Sequence, residues 1–337
     1  MTTLSSVRPK RDPLLLLGLG AGILLLFACL LLSLLLGAAE IDPGTIWQAL
    51  FQFNGSTEHL IVRTVRLPRS LLAVVVGAAL ATAGSITQGL TRNVLASPDI
   101  LGINAGAALA MVFAVFLWGS GRTPVGFAFG GAAIAAVAVY WLGSIGRSGL
   151  TPLKLVIAGA ALSYLLSSLT SGVLILSQRT LDDIRFWLAG SLAGSNLDSI
   201  LSVLPYIAAG LLVSLTLGRQ LTLMGLGEDV ALGLGLQTAW LKMGAAIAVV
   251  LLAGGAVALA GPIGFVGLIV PHGVRFFVGV DYRWILPYAM VAGAILLSLA
   301  DTAARWVIRP QELPVGIVMA ILGAPFFIYL ARSRIKT

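Results

Sequence analysis

Charge is so sparse along this chain that the places where it vanishes define the fold. Stretches 14–39, 70–91, 100–121, 123–146, 155–178, 199–218, 243–274, 284–300 and 313–331 carry no Asp, Glu, Lys or Arg. A run of about 20 apolar residues is what an α-helix needs to cross the hydrocarbon of a bilayer. In that solvent the backbone must satisfy its own hydrogen bonds, so helices are the natural product of such runs. Stretch 243–274 is too long for one crossing and contains Gly261-Pro262. Proline removes a helix donor and ends or kinks a helix, which predicts one full span followed by a short helix over 263–274. The expectation is an all-α polytopic membrane protein of about ten helices, with both termini on one side.

Composition supports this and excludes the soluble classes. Only 10% of residues are charged, 58% are hydrophobic and the mean hydropathy is +1.02. A soluble domain of 337 residues would have to expose an apolar surface at that composition. The first run follows Arg8, Lys10 and Arg11 and outlasts a usual signal-peptide core, so it reads as a retained span. A net charge of +8 and a pI near 10.1 reflect topology at a membrane surface rather than nucleic acid, which is not an expected partner. Cys29 is the only cysteine, which rules out an intrachain disulfide framework.

With the N-terminus inside, all four lysines (Lys10, Lys154, Lys242 and Lys336) fall on the inner side. The basic residues left outside are all arginines: Arg63, Arg66, Arg69, Arg122, Arg179, Arg185, Arg305 and Arg309. The inward bias is the expected one. Residues 77–86 and 254–263 match at six of ten positions and fall in helices of opposite direction, which suggests an inverted internal repeat. Forty glycines, about 12% of the chain, exceed the usual share of about 7%. Gly102, Gly106, Gly130, Gly131, Gly159, Gly172, Gly254, Gly255 and Gly293 suit close packing of helices in lipid.

Catalytic groupings are nearly absent. His59 and His272 have no partner at metal-ligand spacing. Asp182-Asp183 is read as a solvated loop or helix start. No G-x-x-x-x-G-K-[ST] occurs, so the chain does not bind ATP by that route. Asp301 is the one acidic candidate near a span, and Arg305, four residues on, shares its helical face and is expected to pair with it. A proton-coupled carrier would place ionisable groups at mid-membrane depth. An ion-coupled secondary transporter is therefore the weaker alternative.

The polar stretch 219–242 stands apart. Gly227, Glu228 and Asp229 open a short helical pattern that runs through Ala231 and Leu232, and Gly233 and Gly235 close it. Acidic residues complement the positive end of a helix and glycine favours its far end. A helix of about two turns is not stable alone in water, so a second protein is expected to hold it.

Several segments resemble one family. Residues 66–107 (RLPRSLLAVVVGAALATAGSITQGLTRNVLASPDILGINAGA), LGEDVALGLGL, 261–287 (GPIGFVGLIVPHGVRFFVGVDYRWILP) and 299–330 (LADTAARWVIRPQELPVGIVMAILGAPFFIYL) are similar to the FecCD-type, BtuC-like permeases. These are the membrane subunits of importers for iron–siderophore, haem and cobalamin. The resemblance covers the chain from Ile41 onward and departs from the commonest pattern at Asn93-Val94, where Asn-Pro is frequent.

The resemblance implies one transmembrane permease domain over 1–337 in the bacterial plasma (inner) membrane. Residues 1–13 and 332–337 would be cytoplasmic tails and 219–242 a cytoplasmic coupling segment. It implies a second permease subunit (a copy or a paralogue), two ATPase subunits and an external substrate-binding protein. No cofactor is bound directly, ATP acting through the partner ATPases, and the chain is not itself an enzyme. The cargo expected from LASPDILGI is a ferric siderophore, with cobalamin or haem as alternatives. Arg66 and Arg305, with Arg63 and Arg69 beside them, are the implied docking residues for the binding protein. Gly227, Glu228, Asp229, Ala231, Leu232 and Gly233 are those for the ATPase. Ser163, Tyr164, Ser167 and Ser168 are candidates to line the pathway, with core packing as the other reading.

Overall fold

A computed structural model describes residues 12–37, 41–119, 125–145, 151–194, 196–308 and 311–334. The tail 1–11, the end 335–337, and Arg122, Arg147 and Arg309 lie outside the described residues. In chain order the helices are α1 (Asp12–Leu35), α2 (Pro43–Phe51), α3 (Thr57–Leu60), α4 (Leu67–Thr91), α5 (Ile103–Trp118), α6 (Val125–Ser144), α7 (Pro152–Leu176) and α8 (Gln178–Leu188). There follow α9 (Leu197–Met224), α10 (Glu228–Gly233), α11 (Thr238–Val249), α12 (Gly255–Ala260), α13 (Val266–Val278), α14 (Tyr282–Trp306) and α15 (Val315–Arg334).

Among the described residues, seven helical stretches are long and apolar enough to cross a membrane, and three shorter apolar ones (Ile103–Trp118, Val266–Val278 and Val315–Leu330) complete the set expected from the charge-free runs. The break expected at Gly261-Pro262 is present. α12 ends at Ala260, Gly261 takes a φ of 70° and α13 starts at Val266. A side chain at Gly261 would strike the backbone of Trp187. Ser191 N donates to Ala260 O and Gly316 N to Gly190 O, both at 2.9 Å. Three chain turns are thereby stitched through their backbones.

Local chemistry sets the helix ends. Asp42, Ser56, Thr151, Ser177, Asn196 and Asp281 each place a side-chain oxygen on an early backbone N–H of the following helix, satisfying donors that the helix itself cannot. Arg92, at φ 52°, ends α4 in the left-handed conformation. Asn93 Oδ1 then accepts from Leu95 N at 3.0 Å, so a hydrogen-bonded turn forms although Val94 replaces the usual proline. A π-helical turn over Ile61–Arg66 runs directly into α4.

α4 is the axis of the molecule. It packs on α9, α11, α12, α13 and α14, and its most apolar window is 83% buried. Small residues bring the backbones together. Gly77 abuts Gly293 of α14, and Gly84 abuts Gly267 of α13, with no room for a methyl group at either crossing. α5, α6 and α7 form a second group on one flank, where Gly106 meets Gly131 and Gly159 meets the Ile100 carbonyl. α1 is the least covered of these spans, with only Cys29, Ser33 and Leu34 buried, and it is held to α14 partly by Tyr288 Oη donating to Leu15 O at 2.6 Å.

Two expectations are corrected in detail. The stretch 219–242 is not all connector. α9 continues through Arg219 to Met224 and α11 begins at Thr238, leaving 225–237 between them. Asp182 and Asp183 are neither loop nor helix start but lie inside α8, where Asp182 sits 3.7 Å from Arg185 one turn on.

Candidate functional site

Candidate residues gather at opposite ends of the bundle. At the end where α1 finishes and α4 begins, four arginines meet. α1 leaves its last carbonyls without helical partners, and these carry the negative end of the helix dipole. Two guanidiniums cap them. Arg66 Nη1 donates to Leu34 O (2.6 Å) and Leu35 O (3.1 Å). Arg305 Nη1 donates to Ser33 O and Leu36 O at 3.1 Å each, and its Nη2 to Ser33 Oγ at 2.7 Å. Ser33 Oγ in turn shares a 2.7 Å hydrogen bond with Ser70 Oγ.

The third guanidinium, Arg69, spans two carboxylates. Its Nε and Nη2 reach Asp301 Oδ1 at 3.0 and 2.9 Å, and its Nη1 reaches Glu312 Oε2 at 2.5 Å. Arg305 Nε also lies 3.1 Å from Asp301 Oδ2, the pairing expected from their spacing. Arg66, Arg69 and Arg305 are only 4%, 5% and 3% exposed, and Asp301 is fully buried. Charges so placed are tolerable when paired or hydrogen-bonded: Arg69 and Arg305 pair with Asp301, and Arg66 is hydrogen-bonded to the carbonyl end of α1. Arg63 differs, being exposed. It donates to Ala49 O (2.6 Å) and Leu50 O (2.9 Å) at the end of α2 and lies 4.5 Å over the Phe53 ring.

The structure thus brings all four docking candidates together but leaves only Arg63 at the surface. The sequence pattern missed that Arg69, not only Arg305, holds Asp301. The two lie on different helices, and nothing in local spacing signals a contact between them.

At the other end of the bundle, α10 forms a short knob between α9 and α11. Gly227 precedes it at φ 116°, and Gly235 follows at φ 82°. Leu236 N returns to Ala231 O at 2.9 Å, closing the helix end. Ala231 is fully buried and serves as the seat of the knob. Glu228 does not face outward alone. Its Oε1 accepts from Lys242 Nζ at 2.6 Å, tying α10 to α11. Asp229, Leu232 and Gly233 are exposed, and Leu226, Val230 and Leu234 extend an apolar rim around them.

Behind the knob, a polar network that the sequence reading did not single out joins four helices. Arg275 Nη1 donates to Gln88 Oε1 (2.7 Å) and its Nη2 to Tyr282 Oη (2.9 Å). Gln88 Nε2 reaches Gly267 O at 3.2 Å. Thr222 Oγ1 accepts from Tyr282 N at 2.9 Å. A lone glutamine inside an apolar span was the available signal. Asp281, which caps α14, is pushed up by burial but drawn down further by hydrogen bonds from Arg283 and Thr222, so its carboxyl ends below the ordinary carboxylate range.

The pathway candidates lie on α7. Tyr164, Ser167 and Ser168 are exposed and Ser163 is half-buried near Gly102. Ser168 Oγ donates to Tyr164 O at 2.8 Å. The stripe belongs to a helix whose apolar window is 17% buried, so most of α7 faces away from this chain. Of the histidines, His59 Nδ1 accepts from Asn54 N at 3.2 Å, and His272 lies edge-on to Phe276 and Phe326. Among the described residues no group of three or more His, Cys, Asp or Glu is placed to hold a metal.

Comparison with known proteins gives a consistent picture. The model of the FecCD transport family matches residues 24–333. The probable siderophore transport system permease protein YfiZ of Bacillus subtilis is 51% identical over 299 residues, 87% of this chain and 90% of its own. The Fe(3+)-citrate import system permease protein YfmD of the same organism is 44% identical over 303 residues, 90% of each chain. Among solved structures, a metal-chelate type ABC transporter in an inward-facing conformation superposes with a TM-score of 0.79 at 32% identity, covering 94% of this chain and 98% of that one.

Proposed function

Because the chain belongs to the FecCD transport family of ABC-importer permeases, we propose that it carries a ferric siderophore or a related iron chelate across the membrane. It is a multi-pass transport subunit rather than an enzyme, and ATP hydrolysis resides on separate ATPase subunits. The observation that carries the cargo is the likeness, over nearly the whole length, to permeases named for a siderophore and for ferric citrate.

The site residues receive roles on this reading. The complete assembly pairs this permease with a second one, a copy or a paralogue, two ATPases and an external binding protein. Both termini and α10 lie on the cytoplasmic side and the arginine cluster on the outer side, within one permease domain spanning 1–337. α10 is the knob that an ATPase groove grips. Its exposed Asp229 and Leu232 make the contact, while Glu228, Ala231 and the flanking Gly227 and Gly233 fix its pose. The binding protein docks over the arginine cluster. Arg63 meets it directly. Engagement of Arg66, Arg69 or Arg305 by an incoming carboxylate requires exchange of the intrachain partners that hold them.

The exposed hydroxyl stripe of Tyr164, Ser167 and Ser168 supports α7 as a wall of the path beside the second permease, since polar groups in spans face partners or water rather than lipid. Closure of the ATPases then moves the two permeases between outward and inward openings, an alternation of two populated states.

Reconstitution with the neighbouring ATPase and binding protein tests the cargo. Ferric siderophore or ferric citrate should stimulate ATP hydrolysis and enter the vesicles, with cobalamin and haem inactive. Stimulation by cobalamin or haem alone overturns the iron reading. Uptake that collapses with an uncoupler at constant ATP overturns the ABC mechanism itself.

A further inference from the structure

The segment between α1 and α4 has no part in the transport reading beyond Arg63 and Arg66, yet it is built in detail. α2 contains no charged residue, and it presents two apolar faces. Ile46 and Ala49 turn inward onto Leu34, Ile41 and Val62, a small core of their own. Trp47 and Phe51, one turn apart, point away with 63% and 66% of their surface exposed, their rings 4.4 Å from centroid to centroid. Between these faces Gly44 and Gln48 form an exposed third stripe. Later in the same segment Phe53, Leu60 and Val65 are exposed as well.

We propose that this patch is a membrane anchor. α2 lies along the bilayer surface with Trp47 and Phe51 in the interfacial layer of the leaflet where α1 ends. Three observations favour lipid over a protein partner. First, the face is continuous with a lipid-facing one. Leu31, Leu32 and Leu35 in the last turns of α1 are exposed. Only residues 36–42 separate α1 from α2, and Ile46 and Ala49 pack in one cluster with Leu34 of α1, so α2 is held at the level where α1 ends.

Second, the exposed tryptophans mark the level. Trp118 ends α5 and Trp306 ends α14, both more than half exposed, as in the aromatic girdle of spanning proteins. With α1, α5 and α14 all ending on one side, Trp47 joins that girdle. Third, the chemistry fits. An indole offers an apolar body and one polar donor, suited to the headgroup boundary, and α2 has no charge to steer a soluble partner.

The anchor is mechanically joined to the arginine cluster. Arg63 holds the carbonyl end of α2 through Ala49 and Leu50, three residues before Arg66. The depth of α2 therefore sets the height of the cluster relative to the membrane.

The test uses the full-length permease in vesicles of phosphatidylethanolamine and phosphatidylglycerol, with a fraction of the lipid brominated near the carbonyls. Wild-type fluorescence should contain a lipid-quenched component that Trp47→Phe loses. In a Cys29→Ala background, nitroxides on Trp47→Cys and Phe51→Cys should relax with oxygen and be shielded from a water-soluble nickel chelate, whereas Gln48→Cys should show the reverse. Adding the binding protein should change none of these signals. Equal quenching of wild type and Trp47→Phe overturns the proposal, as do nitroxides at 47 and 51 that meet the nickel chelate freely. Nitroxides there shielded from both relaxants would show that protein, not lipid, covers the face and would also overturn it.

Discussion

Arg69 grips Asp301 through two nitrogens, Nε at 3.0 Å and Nη2 at 2.9 Å, although the two residues stand 232 positions apart. The contact pins the start of α4 to the end of α14, and Arg305 approaches the same carboxylate from its own helix. Asp301→Asn leaves two buried guanidiniums short of an anion, a loss on the order of 3–5 kcal/mol. Thermal unfolding in detergent should show a large drop in Tm. Asp182→Asn, which breaks an exposed pair on α8, should change little, since such pairs contribute about 0–1 kcal/mol. Equal Tm values for the two variants would refute the buried network as a stabilising element.

Docking of the binding protein should divide the arginines into two classes. Arg63→Glu alters an exposed charge and is expected to weaken docking most at low ionic strength, where screening is least, with the permease still folded. Arg66→Glu and Arg305→Glu place an anion against the carbonyl end of α1 and should lower the stability of the permease itself. Binding-protein affinity by surface plasmon resonance, alongside Tm, separates the classes. An Arg63→Glu permease with unchanged affinity at every salt concentration removes Arg63 from the interface.

At the α10 knob, Glu228 and Asp229 should behave differently. Glu228→Ala frees Lys242 and loosens α10, so Lys242→Ala should reproduce it. Asp229→Ala leaves that pair in place and tests contact with the ATPase directly. Changing both acids together should uncouple ATP hydrolysis from uptake while binding-protein docking persists. Full uptake by the double variant would reduce the knob to an ordinary loop.

The glycine crossings make a contrasting pair. Gly84→Leu drives a side chain into the Gly267 backbone, and overpacking of this kind costs about 1–3 kcal/mol or more. Gly130 has nothing within 4 Å of where a side chain would start, so Gly130→Ala should be neutral. Monodisperse yield after size exclusion reads both. A well-behaved Gly84→Leu would mean that α4 and α13 do not cross where the structure puts them.

Acid titration should single out the α14 cap. The Asp281 carboxyl is held below its ordinary range, so the folded state favours its charged form. Its contribution is intact above the ordinary carboxylate pKa of about 4 and is lost as pH falls through the lower folded-state value. Asp281→Asn should lose stability at neutral pH and converge on wild type in strong acid. A constant gap at every pH would place the effect elsewhere.

The spans were legible because lipid demands long charge-free runs, and the break at Gly261-Pro262 because proline cannot continue a helix ladder. Gly227 and the acids after it announced α10 for the same local reason. What stayed hidden was tertiary. The burial of Arg66, Arg69 and Arg305 depends on the carbonyl end of α1 and on Asp301, contacts that no local pattern encodes apart from the Asp301–Arg305 spacing. The Lys242 partner of Glu228 lies one connector away. α2 was missed because its nine residues are too short for a span and its exposed aromatics resemble any interhelical loop. Arg275 and Gln88 looked unrelated until α13 and α4 were seen to cross.

The depth at which α4 is buried also sets a problem of assembly order. Chains emerge from synthesis N-terminus first, so α4 enters the membrane before α9, α13 and α14 exist to surround it. During that interval the hydroxyls along its middle and far end have no neighbours to turn to, and they are already satisfied. Thr82, Ser85, Thr87 and Thr91 each donate to the carbonyl four residues back, at 2.7–2.8 Å. Gln88 is the exception, since its amide waits for Gly267 and its carbonyl for Arg275. Its side chain marks the moment in biogenesis when the second half of the chain closes over the first.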